Sequence, residues 1–191
     1  PMPTPSSANL ALFPGGKCTT TSLGNGQVYY SVTDTSMGNT MYALKNSTSG
    51  ATNAMTNCFS DGDVATYSYV SSKYDGTNTT TTAQFPIAYQ IDLGSAKTFD
   101  TFALYERIST NSIKTFRIQV SNDGGMNWTT VFTGSNSNTG LPMSSSPIMV
   151  SQTTAQFVRV VVDEMNGTTL KPGFYEIAVF DSTGIANPTP S

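Results

Sequence analysis

The sequence contains no histidine in 191 residues. That absence removes Ser-His-Asp and Cys-His catalysis, because no imidazole is present to act as general base. It also removes the commonest ligand of transition-metal sites. Charge is scarce as well: charged residues make up 11% of the chain, against about 25% in an average soluble domain. Nine Lys plus Arg stand against twelve Asp plus Glu, for a net charge of −3. No basic stripe is available to neutralise a phosphate backbone, which argues against a nucleic-acid partner. No apolar run approaches the ~18 residues of a membrane-spanning helix. No signal-peptide pattern stands at Pro1-Met2-Pro3, as expected of a removed leader or of a piece of a longer protein. No segment of about 12 residues holds a 3.6-residue period, so helices are expected to be short or absent.

What is present is a strand composition. Aromatics reach 10%, and Thr, Val, Ile, Tyr and Phe favour strands. Solubility falls to the many Ser, Thr, Asn and Gln side chains. Alternation of apolar and polar residues marks the strands. Gln27–Val32 is one. Ile87–Leu93 sets Ile87, Tyr89, Ile91 and Leu93 on one face with Gln90 and Asp92 on the other. Thr98–Glu106 pairs Phe102 with Leu104, and Ile113–Ser121 points Phe116, Ile118 and Val120 inward with Arg117 and Gln119 outward. Trp128–Phe132 follows the turn Asn122-Asp123-Gly124-Gly125, a hairpin signal. Gln156–Asp163 and Glu176–Phe180 complete the set. The expected fold is all-β, a jelly-roll β-sandwich. Residues 1–8 and 182–191, rich in Pro, Ser and Thr, read as linkers around one domain over 9–181, as in a module of a multidomain chain.

Two cysteines occur, Cys18 and Cys58. Two buried thiols or one disulfide both fit. The polar composition, with four sequons at Asn46, Asn78, Asn127 and Asn166, favours the disulfide and an extracellular or cell-surface setting. A bridge closing so long a loop would stabilise by roughly 4 kcal/mol in the chain-entropy picture. Residues 19–57 are then an extended loop or hairpin pinned at both ends.

Seven short motifs fall in a known order. Asn9-Leu10-Ala11-Leu12 resembles an opening strand, and Ser60-Asp61-Gly62-Asp63-Val64-Ala65-Thr66-Tyr67 resembles a loop of the pattern A-x-DG-[ND]-x-x-T-[WF]. Tyr89–Gly94 resembles x-I-D-L-G, and Leu104-Tyr105-Glu106-Arg107 the strand that follows it. Phe116–Ser121 with Asp123-Gly124 and Trp128 resembles the hairpin F-x-I-x-x-S-x-DG-x-x-W. Phe157–Val160 and Glu176–Phe180 resemble the last two strands. Together they are similar to the discoidin, or coagulation factor V/VIII type C, superfamily, which includes carbohydrate-binding modules of family thirty-two. The resemblance implies a jelly-roll sandwich that binds and does not catalyse. Its partners would be a glycan or polysaccharide, or a protein surface, with the acidic balance arguing against an anionic membrane.

The same resemblance implies one structural calcium ion. Its ligands would be the Cys58 carbonyl, the Asp61 carboxylate, the Asp63 carbonyl, Thr66 by carbonyl and hydroxyl, the Tyr175 carbonyl and the Glu176 carboxylate. Oxygen donors of this kind suit calcium. Spacing alone favours the alternative in which Asp61 caps its own turn, since Asp-Gly-Asp is common in turns. For a sugar, the candidates are Tyr69 and Tyr74 after that loop, Arg107 and Asn111 at the next strand end, and Asn166 and Phe174 around the last long loop. Each has a plain structural alternative, with the aromatics in the core and Arg107 ion-paired on the surface.

Other readings carry less. Ser121–Trp128 also fits the box S-x-D-x-G-x-x-W of sialidase propellers, but one copy is a hairpin turn over a Trp. Asp163 and Glu164 are adjacent on a strand and face opposite ways, so they form no catalytic acid pair. Glu106 with Glu164 is the least poor alternative for an enzyme. Leu141-Pro142-Met143 and Leu170-Lys171-Pro172 are candidate apolar loop tips. The leading expectation is a binding module holding a larger secreted protein to glycan. The alternative is a structural or adhesive subunit using the same fold for protein assembly in a surface layer, fibre or virion.

Overall fold

The computed structural model describes residues 9–12, 17–23, 28–31, 59–60, 68–69, 85–107, 112–136, 147–167 and 172–182. Among these there is no α-helix. The eight strands are β1 (Lys17–Ser22), β2 (Val28–Ser31), β3 (Ser68–Tyr69), β4 (Ile87–Glu106), β5 (Ile113–Ser121), β6 (Thr129–Ser135), β7 (Ile148–Met165) and β8 (Gly173–Phe180). Every pairing is antiparallel.

Two long strands build both layers of the β-sandwich. The first half of β4 pairs with β1 and with the second half of β7, giving the order β2-β1-β4-β7-β5-β6. The second half of β4 pairs with β8 on one side and with the start of β7 on the other, and β3 adds to β8. The switch comes where the β4–β7 register shifts between Asp92 and Lys97. Gly94 sits there at φ 81°, with its N–H on Asp92 Oδ1 at 2.8 Å. The sequence reading ended one strand at this glycine and began another at Thr98. The backbone instead runs through as a bulge, which bends a strand without ending it.

The core lies between the layers. Ile87, Tyr89, Ile91, Phe116, Ile118, Val158, Val160 and Val162 meet Phe102, Leu104, Ile177 and Val179, all buried. Alternation had placed Ile87, Tyr89, Ile91, Phe102, Leu104, Phe116 and Ile118 on these inward faces. Tyr89 is the hinge of the packing, meeting Phe59 and Phe174 edge-on at 5.3 and 4.9 Å between ring centroids. Its hydroxyl donates to the Pro172 carbonyl at 2.6 Å, so the one polar atom of this ring is satisfied inside the core.

Asn9–Leu12 is a turn and not the expected opening strand. Asn9 Oδ1 accepts from the Ala11 N–H at 3.0 Å, which curls the chain before it can extend. The segment is held to β8 all the same: Leu10 N–H donates to the Val179 carbonyl at 2.8 Å and Val179 N–H to Asn9 Oδ1 at 3.0 Å. Lys17–Ser22 and Val28–Ser31 pair antiparallel as β1 and β2, while residues 32–57 of the expected loop or hairpin lie outside the described residues.

The turn before β6 is a hairpin built from its own side chains. Asp123 Oδ1 and Oδ2 accept from the Asn127 N–H at 2.9 and 3.1 Å, and Oδ2 also from Asn127 Nδ2 at 2.7 Å. Ser121 Oγ donates to Asp123 at 2.7 Å and accepts from the Gly125 N–H at 3.2 Å. Gly124 and Gly125 both lie at positive φ, 76° and 82°, where a side chain is strained. Trp128 is tied back by its indole N–H to the Gly125 carbonyl at 2.8 Å. A turn this completely self-bonded is structural.

Candidate functional site

One end of the sandwich gathers the termini of five strands, β3, β4, β5, β7 and β8. Arg107, one residue beyond β4, donates its backbone N–H to the Gly173 carbonyl at 2.9 Å. Tyr69 pairs with Gly173 from the other side through β3. Arg107 and Tyr69 therefore flank the first residue of β8. Ile113 pairs with Met165, and the Asn166 N–H donates to the Ser112 carbonyl at 2.7 Å. The Asn166 side chain donates to Ser112 Oγ at 3.1 Å and to the Asn136 carbonyl at 3.4 Å. Beneath these groups, buried Glu106 accepts from the Ile113 N–H at 2.6 Å, which binds β4 to β5.

Three of the residues expected at a sugar site are thus brought to this end: Tyr69 and Arg107 beside Gly173, and Asn166 beside Ser112. Tyr74 and Asn111 lie outside the described residues. Phe174 is a correction. It is 0% exposed, with its ring against Tyr89 in the core, and offers no face to a ligand. Sequence reasoning passed over Ser112, whose backbone and hydroxyl orient Asn166. Its only signal was its place before a strand.

A second constellation surrounds Glu176. It is 2% exposed, with Oε1 accepting from Asn9 Nδ2 at 3.1 Å. Opposite it in the β4–β8 ladder is Tyr105, whose buried hydroxyl has no hydrogen-bond partner among the described residues. The Ile177 N–H donates to the Phe59 carbonyl at 2.6 Å, and Ser60 is buried next to it. The chain therefore enters residues 61–66 alongside the strand that carries Glu176. Cys58, Asp61, Asp63 and Thr66 lie outside the described residues. Among the described residues no three His, Cys, Asp or Glu side chains cluster around one point. Glu176 is a buried carboxylate, the kind of oxygen donor that calcium uses.

Cys18 on β1 is 0% exposed, with Sγ 3.2 Å from Ser60 Oγ. There is no free cysteine among the described residues. The acids weighed for catalysis are otherwise engaged. Asp163 takes two hydrogen bonds from Arg117, at 2.9 and 2.6 Å, and Glu164 pairs with Lys114 at 2.7 Å. Pro172, in one of the candidate apolar tips, is buried, with its carbonyl taken by Tyr89. Leu141, Pro142 and Met143 lie outside the described residues.

Residues 60–160 match the family model for F5/F8 type C domains described as NedA-like, galactose-binding domain. A search of curated proteins finds no match. Among solved structures, the chain is similar to the Clostridium perfringens module CpGH89CBM32-5, in complex with GalNAc-β-1,3-galactose. The identity is 20% and the TM-score 0.58, covering 92% of this chain and 99% of that one. It is also similar to chitosan-binding module 1 of a chitosanase/glucanase from Paenibacillus sp. IK-5. There the identity is 24% and the TM-score 0.56, covering 91% and 98%. A Ruminococcus gnavus GH29 fucosidase matches at 19% identity and TM-score 0.58, over 93% of this chain and 27% of that one. At these identities the likeness is one of fold.

Proposed function

The chain belongs to the F5/F8 type C, galactose-binding-domain family, and we propose that it is a non-catalytic module that attaches a larger extracellular protein to glycan. The observation that carries this is the sandwich end where Arg107 and Tyr69 flank Gly173 and Asn166 is bonded to Ser112. Residues of these kinds are the ones a sugar site draws on. Neighbours of the same fold are named for binding chitosan or are seen with GalNAc-β-1,3-galactose, which supports the class of ligand.

Calcium is part of the proposal. Glu176 and the Tyr175 carbonyl would hold it from β8, with Cys58, Asp61, Asp63 and Thr66 from the adjoining loop. Support comes from the burial of Glu176 and from the Phe59–Ile177 hydrogen bond that brings the loop's entry to it. A Cys18–Cys58 disulfide would fix the same loop from β1, supported by the contact between Cys18 and Ser60.

A glycan array, followed by titration of the strongest hit into wild type and Arg107→Ala, tests the reading. We expect a saturable signal that the free sugar competes away and that falls at least tenfold in the variant. An array silent to every glycan, with mass rising with concentration in sizing experiments, would instead favour an assembly subunit.

A further inference from the structure

The outer face of the first sheet carries a polar row that the loop end does not use. Gln90 of β4, Arg159 of β7 and Gln119 of β5 are register partners. Their side chains therefore leave three neighbouring strands on the same face. Arg159 Cζ lies 4.0 Å from the centroid of the Trp128 ring. Its Nε–H donates to Gln119 Oε1 at 2.8 Å, and Gln119 Nε2 donates in turn to Thr130 Oγ1 at 3.0 Å. The guanidinium is thus fixed by a ring on its face and an amide on its Nε. Neither of its two terminal amino groups is used by a described residue.

The nearby acids are committed elsewhere. Asp163 serves Arg117, Glu164 serves Lys114, Asp123 is spent within its turn and Asp92 accepts from Gln156. Among the described residues no carboxylate pairs with Arg159. Burial, and then repulsion from Arg117, lowers its pKa to about 10, so it remains charged at neutral pH. A half-buried cation without a counter-ion is costly, and a bound anion removes that cost. The Gln90 side-chain amide, next to Arg159 in the row and near Gly125, makes no hydrogen bond to any described residue.

We propose that Arg159, stacked on Trp128 and flanked by Gln90, anchors a second subsite on the sheet face, for the carboxylate of an acidic sugar such as a uronic acid. The planar fork of terminal amino groups matches a carboxylate's two oxygens. The Gln90 amide beside Arg159 can donate to or accept from a ring hydroxyl. The subsite lies about 20 Å along β7 from Asn166, so it is separate from the loop end. It takes only its class of ligand from the glycan reading.

The chain has a single tryptophan, so one indole N–H resonance reports on this face. The full chain is titrated with trigalacturonate, with its methyl ester and with triglutamate, as wild type and as Arg159→Lys. We expect trigalacturonate to shift the Trp128 resonance saturably. The ester should bind at least tenfold more weakly, and so should trigalacturonate to the variant, which keeps the charge and loses the fork. If the variant does not fold, the ester comparison on wild type decides. An indole resonance unmoved by trigalacturonate, or moved equally by the ester, overturns the proposal. An equal response to triglutamate overturns the assignment to a sugar. A neutral glycan that binds through Arg107 while trigalacturonate leaves Trp128 still sinks this subsite and leaves the loop-end reading standing. A Trp128 response to trigalacturonate from a chain that binds no array glycan does the reverse.

Discussion

The backbone N–H of Ile113 donates to Glu106 Oε1 at 2.6 Å, so a buried carboxylate joins the two strands that lead into and out of the loop after Arg107. Glu106→Ala leaves that donor buried and unsatisfied and is expected to cost about 2 kcal/mol of stability. Glu106→Gln keeps an acceptor and should cost less. Urea denaturation of both variants checks the order, and equal losses would show that the charge matters and the bond does not.

Glu176 gives the test of calcium. Thermal unfolding of wild type should shift to lower temperature in excess chelator, because a ligand of the folded state stabilises by mass action. Glu176→Gln should unfold lower in calcium and respond little to chelator. A wild-type midpoint indifferent to chelator, with no calcium by elemental analysis, would remove the ion from the proposal.

Asp123 sets a pH dependence. Hydrogen bonds from the Asn127 backbone, then from the Ser121 and Asn127 side chains, lower its pKa from 3.8 to about 2. A carboxyl depressed in the folded state contributes stability above its unfolded pKa and loses it as pH falls through the folded one. The stability difference between wild type and Asp123→Asn should therefore be constant above pH 3.8 and shrink towards pH 2. Denaturation at stepped acid pH measures it. A difference unchanged over that window would mean the turn does not depend on the charge.

Gly134 on β6 faces two rings. A Cβ there would stand 2.4 Å from Phe116 Cζ and 2.8 Å from Phe132 Cε1. Gly134→Ala should destabilise by about 1–3 kcal/mol, the usual cost of overpacking. An unchanged denaturation midpoint would show that the two rings, tilted at 5.8 Å between centroids, swing aside freely.

The sequence revealed the strands that have one wet face. The bounds of β5 were read correctly because Phe116, Ile118 and Val120 alternate with polar partners. In β8 both faces are covered, so alternation carries no information there. Phe174 accordingly stood as a ligand candidate with the core as its alternative, and it belongs to the core. The continuity of β4 was hidden because a glycine that bends a strand and one that ends it look alike in sequence. Arg107 could be named from a strand end and Tyr69 and Asn166 from the loops they adjoin, but Ser112 and the Asn9–Glu176 contact depend on tertiary proximity alone. So does the meeting of Trp128 with Arg159, since a cross-strand stack leaves no local pattern.

The contact of Asn9 and Leu10 with Val179 lies about 20 Å along β8 from Gly173, and the Ser182 backbone is held nearby by Asp100 at 2.9 Å. The polypeptide thus enters and leaves the sandwich at one end, while the proposed grip on glycan sits at the other. A glycan bound at the proposed site would therefore lie a full strand's length from both places where the described chain joins the sandwich.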